Sequence, residues 1–273
     1  MHIGPDRGFL IDLTLMAQQA WNARGLTWRL FVRDFSAKYR QSLFGVAWQV
    51  IVPVVTVGVF LAMSKSGILR IGDIPAPYPV YAVIGVVVWQ FFSSVLTASA
   101  GSLVAAGSLV AQINFPRLAL VLSASLQAFV ELAIKLAVIA VSCAVFQVRP
   151  SVAGFLLLPF LVMPLYLLGL GLGFFLCLVG CVMRDIQNIL TYFLMLLMFL
   201  TPVVYPVAGS GVWARINALN PLNYFINLPR DLMLAGNSQL WGGYIAASAC
   251  SLILALIGWR FFHLAQAKIA ERI

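Results

Sequence analysis

QSLFGVAWQVIVPVVTVGVFLAMS, residues 41–64, contains no charged side chain. A helix rises about 1.5 Å per residue, so about 20 apolar residues match the roughly 30 Å hydrocarbon layer of a bilayer, and this stretch reads as a membrane span. Four longer uncharged stretches follow: residues 74–116, 150–183, 186–214 and 232–259. Backbone amides in lipid find no water and must bond within their own segment, which selects helices. The expected fold is therefore an all-α integral membrane protein of six transmembrane helices, near residues 43–64, 79–100, 118–147, 152–182, 186–206 and 240–262. Residues 74–116 are read as one crossing followed by a partly buried loop, because Gly101–Pro116 is rich in Gly, Ser, Ala, Gln and Asn.

Composition points the same way. The 273 residues are 62% hydrophobic and 9% charged with a mean hydropathy of +1.00, where a soluble domain carries about 25% charged residues. Six spans leave no room for a sizeable soluble catalytic domain. The net charge of +9 is assigned to loops meeting anionic headgroups, and no nucleic-acid partner is expected. With six crossings both termini share one side. That side collects the basic residues of the N-terminal segment and the tail together with Arg117 and Arg184, 11 in all, against five at Lys65, Arg70, Arg149, Arg215 and Arg230. Both ends are expected to be cytoplasmic. The first 40 residues lack the short apolar core and small-residue cleavage site of a signal peptide, so they are expected to stay on the mature chain. The domain reading is a cytoplasmic N-terminus with an amphipathic interface helix over 1–42, a transmembrane domain over 43–262 and a cytoplasmic tail over 263–273.

Across residues 21–40, Trp28, Phe31, Val32, Phe35 and Tyr39 fall on one helical face, with Arg29, Arg33 and Arg40 on a flank about 100° away. This pattern predicts a helix lying at the headgroup layer, able to couple a cytoplasmic partner to the spans. Within the third span, Glu131 and Lys135 stand at i, i+4 in the order that favours an ion pair. Such a pair reads as structural, since a proton-coupled carrier needs unpaired intramembrane acids. Gly169 and Gly173 form a small-xxx-small face for close helix approach. Cys143, Cys177, Cys181 and Cys250 lie in apolar runs, and the pair at 177 and 181 has no acidic or histidine companions, so packing is expected rather than a metal. No cofactor and no catalytic residue is expected. No G-x-x-x-x-G-K-[ST] occurs, so any ATP-driven work needs another subunit. Residues 205–237, broken by Pro206, Pro221 and Pro229, predict two short helices dipping back from the outer face.

The order of local signals resembles a known family. Asp34-Phe35-Ser36-Ala37-Lys38-Tyr39-Arg40-Gln41-Ser42-Leu43-Phe44-Gly45 with Trp48 and Pro53 is similar to the lead into the first span of type-2 ABC exporter permeases for bacterial polysaccharides. Asn114-Phe115-Pro116-Arg117, Arg184-Asp185-Ile186, Thr201-Pro202 through Pro206, and Asn220-Pro221-Leu222 followed by Pro229-Arg230-Asp231-Leu232 come in the same order. The resemblance implies a homodimer driven by two copies of an ABC ATPase, exporting lipid-linked O-antigen, capsule or teichoic-acid-type chains across the bacterial cytoplasmic (inner) membrane. It implies that Asn114, Phe115, Pro116 and Arg117 couple to the ATPase. Arg33, Lys38, Tyr39 and Arg40 would belong to a cytoplasmic gate, and Asn220, Pro221, Tyr224, Arg230 and Asp231 to the outer re-entrant segment. Phe35-Ser36-Ala37 stands where the family more usually has a Leu-Lys-Val type of sequence, which removes one positive charge. A passing sugar chain suits aromatic stacking, and Trp48, Trp89, Phe91, Phe92, Tyr192, Phe199 and Tyr205 are the candidate channel-lining residues. The alternative cargo is a drug or small lipid. An enzyme acting on a lipid-linked sugar is disfavoured by the scatter of Asp34, Asp73, Asp185 and Asp231.

Overall fold

The computed structural model describes residues 9–40, 46–67, 74–107, 116–183, 185–207 and 211–269, and among them every regular element is a helix. In chain order these are α1 (Phe9–Arg40), α2 (Ala47–Lys65), α3 (Tyr78–Ala106), α4 (Arg117–Val145), α5 (Val152–Leu161), α6 (Met163–Val182), α7 (Ile186–Leu200), α8 (Val212–Leu219), α9 (Pro221–Leu234) and α10 (Trp241–Ile269). Five segments are long and apolar enough to cross a membrane: α2, α3, α4, the α5–α6 pair taken together, and α10 over Trp241–Ala265. The break between α5 and α6 falls at Val162, with Pro159 inside α5 and a proline in the first turn of α6. A proline ring removes one amide donor and crowds the preceding turn, so the run bends there.

α3 is the central helix. It packs against α4 on one side and α6 on the other, and it also meets α2, α7 and α9. Glycines set the closest approaches: a Cβ at Gly169 would come within 2.9 Å of Val95 Cγ1, and one at Gly173 would run into the Ser99 side chain. On its other side α6 meets α10, where a Cβ at Gly171 would lie 2.8 Å from the Ala255 Cα. In lipid, where helix association gains little from hydrophobicity, this close packing holds the bundle together.

Three expectations change. Residues Gly101 to Ala106, expected as loop, continue α3, which ends only at Gly107 with φ 53°. A small residue marks a close approach to a neighbouring helix, since a Cβ at Gly101 would lie 3.1 Å from the Gln187 amide, and Ser102, the one polar side chain of the six, donates to the Ser99 carbonyl of its own helix at 2.7 Å. The helix expected over 21–40 begins at Phe9. The segment expected as a span over 186–206 is a helix of 15 residues, about 22 Å long. It nevertheless runs beside much of α3, from Gln187 next to Gly101 to the Val203 carbonyl next to Gly85.

Apolar surface is unevenly covered. α2 leaves Val50, Val52, Val54, Val55 and Val59 exposed, and α7 leaves Ile189, Tyr192, Phe193, Met195 and Leu196 exposed, while Phe60 and Phe199 join the two helices at 6.3 Å between ring centroids.

Candidate functional site

Two polar regions interrupt this apolar body, at opposite ends of α3. Tyr81 and Gly101, which mark them, are 20 residues apart on one helix, about 30 Å.

The Gly101 region is built around Glu131 on α4. Lys38 Nζ of α1 lies 2.6 Å from its Oε1, Ser94 of α3 donates to its Oε2 at 2.8 Å, and Lys135 Nζ stands 3.7 Å from Oε2. Glu131 and Lys135 side chains are 9% and 5% exposed, Lys38 45%. The intrahelical pair read from sequence is present, but the shorter bond goes to Lys38, 93 residues away, a partner that no local spacing could reveal. Two ammonium groups around one carboxylate leave the cluster positive. Beside it a cavity of about 500 Å³ opens between α1, α3 and α4, with Arg33, Lys38, Thr97 and Gln127 among its walls. Arg33 pairs with Asp34 at 2.7 Å and keeps half its side chain exposed.

α1 presents two faces. Met16, Ala23, Thr27 and Leu30 are buried, and α1 packs on α4 and α10; Asp34 and Lys38 extend that stripe by one helical turn each. Of the stripe singled out in the sequence, Trp28 and Val32 are exposed and Phe31 and Phe35 half-buried, with Trp28–Phe31 and Phe31–Phe35 stacked at 5.2 and 6.1 Å. Alternating Ala, Thr and Leu gave the packed stripe little contrast, so the aromatic one dominated the pattern.

At the Tyr81 end, Arg230 of α9 is fully buried. Its Nη1 donates to Asn227 Oδ1 at 3.0 Å and to the Pro202 carbonyl at 3.4 Å, Nη2 donates to the Val203 carbonyl, and the guanidinium stacks 3.9 Å from the centroid of Tyr81. Gly85 makes room for it, since a Cβ there would collide with Nη2 and the Val203 carbonyl. Arg230 thus staples the turn after α7 to α9 and α3. Asn220 caps α9 by accepting from the Leu222 amide at 3.0 Å and donates to Thr201 Oγ1 at 3.0 Å, and Pro221 occupies the first turn. Tyr224 donates to the Ala218 carbonyl at 2.7 Å. Burial pushes the Asp231 carboxyl above the usual carboxylate range, against the opposing pull of the Ser238 hydroxyl and of Arg230.

Of the remaining sequence candidates, Pro116 precedes α4 and Arg117 opens it. Asn114, Phe115 and the side chains of Tyr39 and Arg40 lie outside the described residues. The aromatics divide into two groups. Trp48, Tyr192 and Phe199 are exposed on α2 and α7, and half-buried Tyr205 donates to the Phe199 carbonyl at 2.6 Å. Trp89, Phe91 and Phe92 are 5%, 1% and 2% exposed and pack inside the chain's own core, because α3 is surrounded by helices rather than open on one side. Among the described residues no group of three or more His, Cys, Asp or Glu side chains stands close enough to hold a metal ion.

This architecture of apolar helices with interrupted α8–α9 and an amphipathic α1 agrees with a sequence comparison: the pattern of the ABC-2 type transporter family matches residues 25–234. The chain belongs to the ABC-2 type transporter family. As an ABC-2 transporter it is a multi-pass membrane permease, and the family implies an ABC ATPase as its partner. It is similar to a protein of Klebsiella pneumoniae named O-antigen export system permease protein RfbA, 25% identical over 243 residues that cover 88% of this chain and 91% of the other. A Myxococcus xanthus protein of the same name is 23% identical over 261 residues, 94% of this chain and 99% of the other. The ABC-2 match takes in the second half of α1, the Glu131 cluster, Arg230 and the whole of α9.

Proposed function

We propose that this chain is the transmembrane permease subunit of an ATP-driven exporter that moves lipid-linked polysaccharide, an O-antigen- or capsule-like glycan, across the bacterial cytoplasmic membrane. The carrying observation is similarity over nearly the full length of both partners to permeases named for O-antigen export. The working assembly is a homodimer with two copies of an ABC ATPase, which supply the hydrolysis for which this chain has no phosphate loop. The apolar surface left open on α2 and α7 supports a pore between two copies, with Trp48, Tyr192 and Phe199 offering rings on which sugars can stack.

Six crossings with both termini cytoplasmic fit the path of α7, which travels from the Gly101 end of α3 to the Gly85 end despite its short helix. In that orientation Pro116 and Arg117 sit at the cytoplasmic end, and the run from Asn114 to Arg117 couples to the ATPase. Arg33, Lys38, Tyr39 and Arg40 belong to the cytoplasmic gate, beside the cavity that Arg33 and Lys38 line together with Asp34 and Glu131. α8 and α9, with Asn220, Pro221, Tyr224, Arg230 and Asp231, form the re-entrant outer closure.

The test is genetic and direct. Deleting this gene, or that of the partner ATPase, removes polysaccharide from the cell surface and leaves it inside the cell, and a plasmid copy restores export. Normal surface polysaccharide in both deletion strains would contradict the reading.

A further inference from the structure

The Tyr81 end of α3 holds more than the Arg230 staple. A cavity of about 590 Å³ opens there between the start of α3, α8, α9 and the 235–240 loop, within the range of small-molecule sites. Its walls carry the side-chain amides of Asn223, Asn227, Asn237 and Gln239, the carboxylate of Asp231 and the ring of Tyr224. We propose that this cavity is a saccharide-binding site that takes one or two neutral or amino sugars.

The chemistry selects that ligand. An amide offers a donor and an acceptor side by side, and a carboxylate oxygen accepts from two directions, matching the vicinal hydroxyls of a pyranose. A tyrosine ring offers an apolar face for its C–H groups. The groups are held in place before any ligand arrives. Asn227 donates to Asn223 Oδ1 at 2.6 Å and accepts from Arg230, which fixes both amides. Tyr224 is tied through its hydroxyl to the Ala218 carbonyl and packs against Gly243, where a Cβ would strike its ring. Ser238 donates to Asp231 Oδ2 at 2.8 Å, which leaves Oδ1 for a ligand. The Arg230 guanidinium behind the wall is taken up by two carbonyls, Asn227 and Tyr81, so the charge presented to the cavity is the single carboxylate. Phosphate-bearing ligands are therefore disfavoured here. That the sugars belong to the exported chain rests on the proposed function; the recognition chemistry does not.

The experiment uses the full-length protein in phosphatidylcholine nanodiscs and saturation-transfer NMR. The probes are oligosaccharides released without lipid from the host's surface polysaccharide, and maltohexaose. The expected result is transfer to the sugar protons of the host oligosaccharide with wild-type protein, about ten-fold weaker binding in Asn237→Ala/Gln239→Ala, and none in Gln239→Trp, which fills the space. Asn237 and Gln239 are exposed loop residues, so all variants should melt as wild type does. No transfer to either sugar, or variants that bind like wild type, would overturn the site. If surface polysaccharide still depends on the gene in that case, the exporter reading survives its loss. Binding of maltohexaose but not of the host oligosaccharide would keep the saccharide site and count against the polysaccharide cargo.

Discussion

Arg230 holds its charge with no surface open to solvent, and the two carbonyls of Pro202 and Val203 depend on it as much as it depends on them. Arg230→Met removes the charge but strands both carbonyls, and Arg230→Lys offers a point charge that cannot reach two carbonyls and Asn227 together. Each should lower stability by about 3 kcal/mol, read as a drop in thermal midpoint of the purified protein. An unchanged midpoint would show that the turn after α7 does not need the staple. The Glu131 cluster obeys a different balance. Lys38 is nearly half exposed, so Lys38→Met should cost only about 1 kcal/mol. Glu131→Gln leaves Lys135 buried without its counter-charge and should cost about 3–5 kcal/mol, most of which the double variant Glu131→Gln/Lys135→Met should recover. A double-mutant cycle measures this, and additive losses would remove the pairing from the account.

Among the elements, α6 shows how far sequence spacing reaches. Gly169 and Gly173 share a face by periodicity alone, and that face meets Val95 and Ser99 of α3. Gly173→Leu should force α6 away from α3 and abolish accumulation of folded protein. Gly25→Ala on α1, where the new Cβ meets nothing within 4 Å, should instead stabilise the helix by up to about 1 kcal/mol. The amount of Gly173→Leu protein in the membrane fraction and the thermal midpoint of Gly25→Ala check this pair, and wild-type accumulation of the first or a lowered midpoint of the second would contradict it. Five of the six expected spans were readable because lipid imposes length and apolarity on one local segment. Two things were not. The small residues among Gly101 to Ala106 signalled a loop while continuing α3, since composition cannot tell the small residues of a loop from those that let a helix approach its neighbour closely. Lys38 and Ser94 come to Glu131 from 93 and 37 residues away, and nothing local announces such a meeting. The segment over residues 205–237 was legible as broken helix through its prolines, and Asn220 acts as the cap its position before Pro221 suggests. The role of Gly85 in admitting Arg230 had no signal at all.

At the scale of the whole molecule, α3 is a rod with a cavity lined by Arg33, Lys38 and their carboxylate partners at one end and an amide-lined cavity with a single carboxylate at the other. Export requires those ends to face opposite compartments; α3, as a crossing, separates them, and the chain between them must then cross an odd number of times. Between Ser36 and Gln239 lie α2, α3, α4, the α5–α6 pair and α7. If α7 crosses, the count is odd and the two residues lie on opposite sides; if it does not, they share a side. The decisive measurement is labelling of single-cysteine variants Ser36→Cys and Gln239→Cys, in a chain whose four native cysteines are replaced, with a membrane-impermeant maleimide on intact spheroplasts. The account predicts that Gln239→Cys labels at once and Ser36→Cys only after permeabilisation; labelling of both from the same side would contradict it.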